Sequence, residues 1–181
     1  LDGKSWIAGE SVTVNTNGTV YFKATDAAGN VTTESVLVDK IDVVAPTLVI
    51  SGNATDWTNS AVLLNLTTVD AASGIAKIEY SLDNQTWNAV VDNKLSVSAN
   101  GTVYFKVTDV AGNVTTESVV VDKIDTVAPE LEISGNAAQW VKSVTLNAAA
   151  SDSASDIAKV EYSLDGKSWI AGESVTVNTN G

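Results

Sequence analysis

Short runs in which apolar and polar residues alternate fill most of the chain, and clusters of Gly, Asn and Asp separate the runs. Alternation with a period of two is typical of a strand that buries one face, whereas an amphipathic helix needs a period near 3.6. The clearest runs lie at 47–51, 61–67, 75–82, 94–98, 102–108 and 114–121, with a short one near 88–91. This number and spacing of strands predicts an all-β, two-sheet sandwich of immunoglobulin type with Greek-key connections.

Long segments of the sequence occur more than once. TVYFKATDAAGNVTTESVLVDKID at 19–42 returns as TVYFKVTDVAGNVTTESVVVDKID at 102–125, and APTLVISGN at 45–53 returns as APELEISGN at 128–136. A period of about 82 residues suits one small domain in a tandem array. We therefore expect the C-terminal part of one repeat in 1–42, a complete repeat in 43–125 and the N-terminal part of a third in 126–181.

Differences between the copies predict which side chains face a core. Val49 is replaced by Glu132 in the next copy, so this position is expected to face water. Its neighbours Leu48 and Ile50 stay apolar, as Leu131 and Ile133 in the next copy, and are expected to face inward. The same alternation predicts Ile78, Tyr80, Leu82, Val103, Phe105 and Val107 inside, and Lys77, Glu79, Ser81 and Lys106 outside.

The amino-acid composition disfavours several classes of function and partner. The chain has 22 acidic residues against 10 basic ones, a net charge of −12, which disfavours nucleic acid and anionic membrane surfaces as partners. No apolar run is long enough for a membrane-spanning helix, so we expect no membrane insertion of this segment. The chain has no Cys, His, Met or Arg, so the commonest nucleophiles, bases and transition-metal ligands are missing, and we expect no enzyme.

The segments DKIDTVAP, IAKIEYSLDxxxW and TVYFKVTDVAGN resemble the bacterial immunoglobulin-like repeats of very large surface adhesins, and the resemblance covers the whole chain. It implies tandem immunoglobulin-like domains in an extracellular fibre or stalk that holds an adhesive tip away from the cell. It also implies calcium at the linkers, because many repeats of this kind use calcium to stiffen them. The expected partners are neighbouring repeats of the same chain or fibre, and host or cell-surface ligands bound through other domains.

Several oxygen-bearing side chains are expected at one pole of the complete repeat. An immunoglobulin-type topology brings Asp70, Asp109 and Asn113 to the pole where Asp42 of the incoming linker enters, with Asp39 just upstream. Carboxylate and amide oxygens are ligands that Ca²⁺ prefers, so Ca²⁺ is the candidate cofactor of this chain. The equivalent partial sets are Asp26 and Asn30 in the first copy and Asp125 and Asp152 in the third.

A second interpretation explains the same residues without a metal. DVAGN is a favourable hairpin turn in which Asp109 or Asn113 caps backbone groups, and Asp70 can form an Asx-turn. Neither the EF-hand spacing nor a GGxGxD repeat occurs. Both interpretations stay open at this point.

The tryptophans raise an alternative function, a module that binds glycan or matrix protein through exposed indoles such as Trp57 and Trp87. A tryptophan that recurs in each copy is more typical of the packing of the domain itself.

The eighteen residues LDGKSWIAGESVTVNTNG stand at both 1–18 and 164–181. Both end segments are therefore expected to carry only part of a sandwich, with half a core exposed and strand edges unpaired. We expect a window on a longer repetitive fibre in which more of the same chain supplies the missing strands. Strand exchange with a neighbouring copy is the alternative.

Overall fold

A computed structural model describes residues 6–179, and within this range the only regular secondary structure is β-strand. The strands are β1 Gly18–Thr25, β2 Val31–Val38, β3 Thr47–Ser51, β4 Val62–Val69, β5 Ile75–Ser81, β6 Asn88–Ala89, β7 Lys94–Val97, β8 Gly101–Asp109, β9 Val114–Val121, β10 Glu130–Ser134, β11 Val144–Ser151, β12 Glu161–Tyr162, β13 Ile170–Ala171 and β14 Ser174–Val177. The prediction of an all-β chain is confirmed.

These strands form five sheets among the described residues. Their strand orders are β1-β2, β3-β4-β7, β6-β5-β8-β9, β10-β11-β14 and β12-β13. The strands pair antiparallel, as in a β-sandwich, in β1–β2, β3–β4, β5–β6, β5–β8, β10–β11, β11–β14 and β12–β13. The short strand expected near 88–91 exists as β6, and it pairs with β5 at the edge of the sheet that contains β8.

The described chain divides into two compact units. The first comprises residues 6–52, 64–95 and 102–120, and the second comprises 53–63, 96–101 and 121–179. The buried apolar side chains of the first unit are Val20, Leu64, Leu66, Val103, Phe105 and Val107. Those of the second are Val62, Val97, Val121 and Ile124. The limits of the three repeat segments stay a prediction from the sequence.

Burial follows the strand period along β8 and along β3. Val103, Phe105 and Val107 are all at most 1% exposed, which confirms their inward orientation. On β3, Val49 is 60% exposed while its two neighbours are partly buried, as the replacement by glutamate predicts. Alternate residues of one strand therefore supply the core, because successive side chains point to opposite faces of the sheet.

The predicted orientation is wrong at the end of β5. Ser81 is fully buried and Leu82 is 67% exposed, the reverse of the expected order. The strand ends at Ser81, whose hydroxyl donates to Asp83 at 2.8 Å and accepts from the Asp83 amide at 3.3 Å. The alternation stops there because the chain enters a turn that the hydroxyl stabilises.

The third copy departs from the first-strand prediction as well. Leu131 and Ile133, the counterparts of Leu48 and Ile50, are 60% and 61% exposed. Their strand, β10, keeps its antiparallel pairing with β11, so the backbone structure is the same while the burial is not.

No helix among residues 6–179 has the length and apolar character needed to cross a membrane.

Candidate metal site

Three carboxylates converge in the first unit. Oxygen atoms of Asp42, Asp70 and Asp109 all lie within 4.8 Å of one another. Asp42 stands in the connection between β2 and β3, Asp70 directly follows β4, and Asp109 is the last residue of β8. We call these three residues the acidic cluster. They are three of the five residues that the sequence predicted for this site.

Asp109 reaches the cluster because it continues the inward face of β8. It is two residues beyond buried Val107 and is itself only 2% exposed. Its carboxylate accepts the Asn113 amide N–H at 2.8 Å through Oδ1 and the Asn113 side-chain amide at 2.8 Å through Oδ2. Gly112, with φ of 96°, makes this tight turn, since a residue with a Cβ rarely adopts that conformation.

Asp70 occupies an Asx-turn of the kind that the second interpretation requires. Its Oδ1 accepts the Ala72 amide at 3.1 Å and the Gly74 amide at 2.7 Å. Among the described residues, no hydrogen bond reaches Oδ2 of Asp70. One oxygen of the turn therefore keeps its lone pairs for another ligand.

Asp42 connects the linker to the loop that follows β4. Its Oδ1 accepts the Val44 amide at 3.0 Å, and its Oδ2 accepts the Ser73 amide at 3.1 Å. A hydrogen bond from the Ser73 hydroxyl, followed by the Val44 amide, lowers the pKa of the Asp42 carboxyl below its usual 3.8. Asp42 is therefore a carboxylate at neutral pH, because these donors stabilise its charged form.

Asn113 borders the cluster as a hydrogen-bond donor. Besides Asp109, its side-chain amide donates to the backbone oxygens of Asp42 at 3.2 Å and Val44 at 3.4 Å. It thus holds the linker against the hairpin turn. Asp39, the remaining nominated residue, lies outside the cluster, with its carboxylate 4.0 Å from the Lys40 ammonium and largely exposed.

The cluster has the charge and spacing of a site for a hard cation. Two ligand oxygens of one Ca²⁺ are separated by at most twice the Ca–O distance, roughly 4.6–5.2 Å, and the three carboxylates meet that limit. Three negative charges at this separation repel one another. Among the described residues, no lysine forms an ion pair with any of them. A divalent cation would remove this repulsion.

A related arrangement occurs in the second unit at the start of the third copy. Ser155 donates to Asp125 through its amide at 3.2 Å and its hydroxyl at 2.7 Å, and to Asp152 through its amide at 2.8 Å. The Ser155 hydroxyl is the main cause of a lowered pKa at Asp125. Ser155 thus bonds both carboxylates, whereas its counterpart Ser73 bonds Asp42 through its amide. A cleft of about 220 Å³ beside them is lined by Val127, Ala128, Glu130, Ser151, Asp152 and Ser153.

Of the elements that form the candidate site, the first copy contains only the hairpin turn of Asp26 and Asn30. Asp26 accepts the Asn30 amide at 2.7 Å and the Asn30 side-chain amide at 2.7 Å, the same pair of bonds that Asp109 makes. Both residues are exposed, and Asp26 belongs to no group of three acidic residues in the described chain.

Two of the tryptophans proposed as ligand-binding residues have a lysine over the ring. The Lys123 ammonium lies 4.8 Å from the ring centre of Trp57, and the Lys106 ammonium lies 4.1 Å from that of Trp87. A cation above an indole stabilises the fold and occupies a face on which a sugar would stack. These contacts agree with the packing role that the recurrence of the residues indicates.

The structure also shows polar contacts that sequence reasoning missed. The Asn17 side chain bonds to both the amide and the carbonyl of Ile41, at 2.8 and 2.9 Å, and Asn100 does the same with Ile124, at 2.9 and 2.8 Å. We call each pair an asparagine clasp. The recurrence of NGT before the long repeated segment was the available signal. Ser73 was also missed, although a serine recurs at that position as Ser155.

Comparison with known proteins returned no match to a family model, a curated protein or a solved structure.

Proposed function

We propose that this chain is a structural segment of an extended, extracellular bacterial surface fibre, built from immunoglobulin-like repeats whose linkers are stiffened by Ca²⁺. The proposal rests chiefly on one observation: Asp42 of the linker lies within 4.8 Å of two carboxylates from the ends of β4 and β8. A cation bound to all three would hold the linker to the strands that it precedes. Catalysis is no part of the proposed function.

The strand orders support repeats of immunoglobulin type. The order β3-β4-β7 corresponds to strands A, B and E, and the order β6-β5-β8-β9 adds a short edge strand to C, F and G. This division of the strands between two sheets agrees with the Greek-key arrangement expected of immunoglobulin-like domains. The antibody disulfide is missing, and Phe105 fills the core instead.

A mechanical role also agrees with the charge and the linkers. A net charge of −12 keeps neighbouring copies apart and in solution. Each linker contains a proline, Pro46 or Pro129, which restricts the backbone. Pro46 is buried, and its carbonyl accepts a hydrogen bond from the Thr115 hydroxyl, so this linker is attached to β9 as well as to the cluster.

The first test is thermal unfolding with calcium and with a chelator. About 1 mM Ca²⁺, in the range where extracellular calcium modules bind, should raise Tm by several degrees, because an ion that binds only the folded state stabilises it. Titration calorimetry on the same protein gives the stoichiometry directly. Equal Tm values in calcium and chelator, together with no binding heat, would refute calcium at the linker.

Matched variants locate the ion. Asp109→Asn and Asp70→Asn each remove one charge from the acidic cluster and should abolish most of the calcium response. Asp26→Asn is the control, because it removes one negative charge from the equivalent turn of the first copy, outside the acidic cluster. It should leave the calcium response of Tm unchanged. A response that survives both cluster variants would place the ion elsewhere.

A further inference from the structure

Each asparagine clasp is made by an asparagine that directly precedes a glycine. Asn17 is followed by Gly18 and Asn100 by Gly101, and these glycines are the first residues of β1 and β8. In an Asn-Gly pair the asparagine loses its side-chain amide more readily than before other residues, because glycine has no Cβ to hinder the approach of its nitrogen. The two residues that hold the linkers are therefore also chemically labile.

The reaction in question, deamidation, needs only the chain and water. The Gly101 nitrogen gives its proton to solvent and attacks Cγ of Asn100, so an N–Cγ bond forms. The Cγ–Nδ2 bond then breaks, and the departing nitrogen takes a proton from solvent and leaves as ammonia. Water opens the resulting succinimide ring at either carbonyl and gives aspartate or isoaspartate. The net change is one water gained, one ammonia lost and one new negative charge, with no oxidation or reduction.

The clasp holds the reactive side chain by both of its polar atoms. Nδ2 of Asn100 donates to the Ile124 carbonyl at 2.8 Å, and its Oδ1 accepts the Ile124 amide at 2.9 Å. Asn17 bonds Ile41 in the same way, at 2.9 and 2.8 Å. Departure of Nδ2 breaks the first of these bonds, so we expect the reaction to proceed from the open clasp. The population of the open clasp then sets the rate.

The product of deamidation does not fit the clasp. The clasp needs a donor and an acceptor on one side chain, which an amide supplies. A carboxylate only accepts, so it places an oxygen against the Ile124 carbonyl where Nδ2 of Asn100 donated at 2.8 Å. Isoaspartate also adds a methylene group to the backbone just before β8. Either product therefore loses the bond to the linker carbonyl.

That bond attaches the linker to the copy that precedes it. Ile41 is bonded to Asn17 of the first copy, and the next residue, Asp42, accepts the Ser73 amide of the second. The same order recurs at the following linker. Consecutive residues thus attach each linker to two copies, and loss of the clasp detaches it from the first of them.

We propose that Asn17 and Asn100 are sites of spontaneous deamidation. Each clasp slows the reaction while it is closed and is lost once the reaction has occurred. The modification therefore releases the linker backbone at Ile41 or Ile124 irreversibly, and linkers loosen as the protein ages. Neither asparagine belongs to the acidic cluster, so the proposal does not depend on calcium.

Mass spectrometry of tryptic peptides measures the reaction at each site. The peptide 95–106 has Asn100 as its single asparagine, and the peptide 5–23 contains Asn17, which fragmentation separates from Asn15. The chain is incubated at mildly alkaline pH, folded and in urea, in ¹⁸O-labelled water that marks deamidation before digestion. Both sites should react at least about tenfold more slowly in the folded chain, because an open clasp lacks two hydrogen bonds. Equal rates, or no reaction in urea, would overturn the proposal.

A proline variant tests whether the clasp controls the rate. Ile124→Pro removes the amide hydrogen that Asn100 accepts. The bonds between Thr58 and this linker use Lys123 and Asp125, so they are retained. Deamidation of Asn100 should accelerate by roughly 2- to 10-fold, the value of one hydrogen bond. The other clasp of the same molecule is unmodified and serves as the internal control.

The reciprocal variant, Ile41→Pro, changes a less buried residue and removes the amide that Asn17 accepts. It should accelerate deamidation of Asn17 by a similar factor and leave Asn100 at its original rate. Acceleration at both sites in each variant, or at neither site, would contradict local control by the clasp.

Trypsin measures release of the linker directly, because each clasped isoleucine follows a lysine, Lys40 or Lys123. Asn100→Asp reproduces the charge of the product and its missing donor. It should accelerate cleavage after Lys123 in the folded chain at least about fivefold and leave cleavage after Lys40 unchanged, because proteolysis follows the open population. Asn84→Asp makes the same change at an exposed turn residue and should accelerate neither cleavage. Unchanged cleavage after Lys123 in Asn100→Asp would refute release of the linker.

Discussion

The hairpins β1–β2 and β8–β9 have almost the same sequence and very different surroundings. Over 19–42 and 102–125 only three positions differ, Ala24/Val107, Ala27/Val110 and Leu37/Val120. Both segments form two long strands and a tight turn. The local sequence therefore suffices for the hairpin itself.

The turns match in atomic detail. In each, the aspartate accepts the amide and the side chain of the asparagine four residues on, at 2.7 and 2.7 Å in the first copy and 2.8 and 2.8 Å in the second. Gly29 and Gly112 have φ values of 91° and 96°. These contacts span only five residues, so they form wherever the sequence occurs.

Burial separates the two hairpins. Phe22 is 44% exposed and Phe105 is fully buried, and Asp26 is exposed while Asp109 is 2% exposed. The difference comes from the partner strands, since β5 pairs with β8, whereas no third strand from residues 6–179 joins β1 and β2 in their sheet. A turn with the same hydrogen bonds is thus a simple loop in one place and part of an acidic cluster in the other.

The largest predicted difference concerns the two phenylalanines. Phe105→Ala should cost about 3–5 kcal/mol, because it removes a fully buried ring and leaves a cavity. Phe22→Ala should cost less than about 1 kcal/mol at a protein concentration that keeps the chain monomeric. Urea unfolding followed by tryptophan fluorescence measures both. Similar costs would mean that the hairpins have similar environments in solution.

A smaller difference is expected for the turn asparagines. Asn113→Ala should cost about 1–3 kcal/mol, because its amide also donates to two linker carbonyls. Asn30→Ala loses only the bond to Asp26 and should cost less than about 1 kcal/mol. The same urea titration compares them, and a larger cost at Asn30 would contradict the linker role of Asn113.

The asparagine clasps should behave alike, because Asn17 and Asn100 make the same two hydrogen bonds. Alanine at either position should cost about 1–2 kcal/mol. Hydrogen exchange at the Ile41 and Ile124 amides should accelerate in the corresponding variant, which checks the mechanism locally. A cost at one site only would show that the surrounding structure, and not the clasp, holds that isoleucine.

The smallest effect is the pH dependence of the exposed turn. The Asn30 side chain, followed by the Asn30 amide, holds the pKa of Asp26 below its usual 3.8. A lowered folded pKa means that the stabilisation is complete above 3.8 and is lost as the pH falls through the folded value. The Asn30 amide resonance, followed by NMR between neutral pH and pH 2, should shift in that acidic window. An Asp26→Ser variant should show no such titration, and a midpoint above 3.8 would contradict the prediction.

Features within a few residues of one another were predictable. The period of two in TVYFKVTD located β8 and the orientation of Val103, Phe105 and Val107, and DVAGN identified its turn. The loss of alternation at Ser81 was not predictable from the period, since a side-chain hydrogen bond to Asp83 ends the strand there. The inward orientation predicted for Leu131 was also wrong. A side chain is buried only where other elements pack against its face of the sheet, and the sequence of the strand does not encode those elements.

The candidate site likewise has residues that the sequence predicted correctly and residues that it did not. The sequence nominated Asp42, Asp70 and Asp109 by assuming a topology, and the structure brings these three within 4.8 Å. It leaves Asp39 outside, and it uses Asn113 as a donor to the linker. The only sequence signal for the asparagine clasps was the recurrence of NGT, and the Lys106–Trp87 contact had none. Such contacts join residues about 20 or more positions apart, and periodicity carries no information over that separation.

By itself, the sequence determined the strands, their turns and the repetition, because each depends on backbone conformation and hydrogen bonds over a few residues. Tertiary structure alone decided which copy of a given hairpin is buried and which aspartate joins others. The physical reason is that burial and charge clustering depend on what lies across the sheet. Phe22 and Phe105 have nearly identical neighbours along the chain and different neighbours in space.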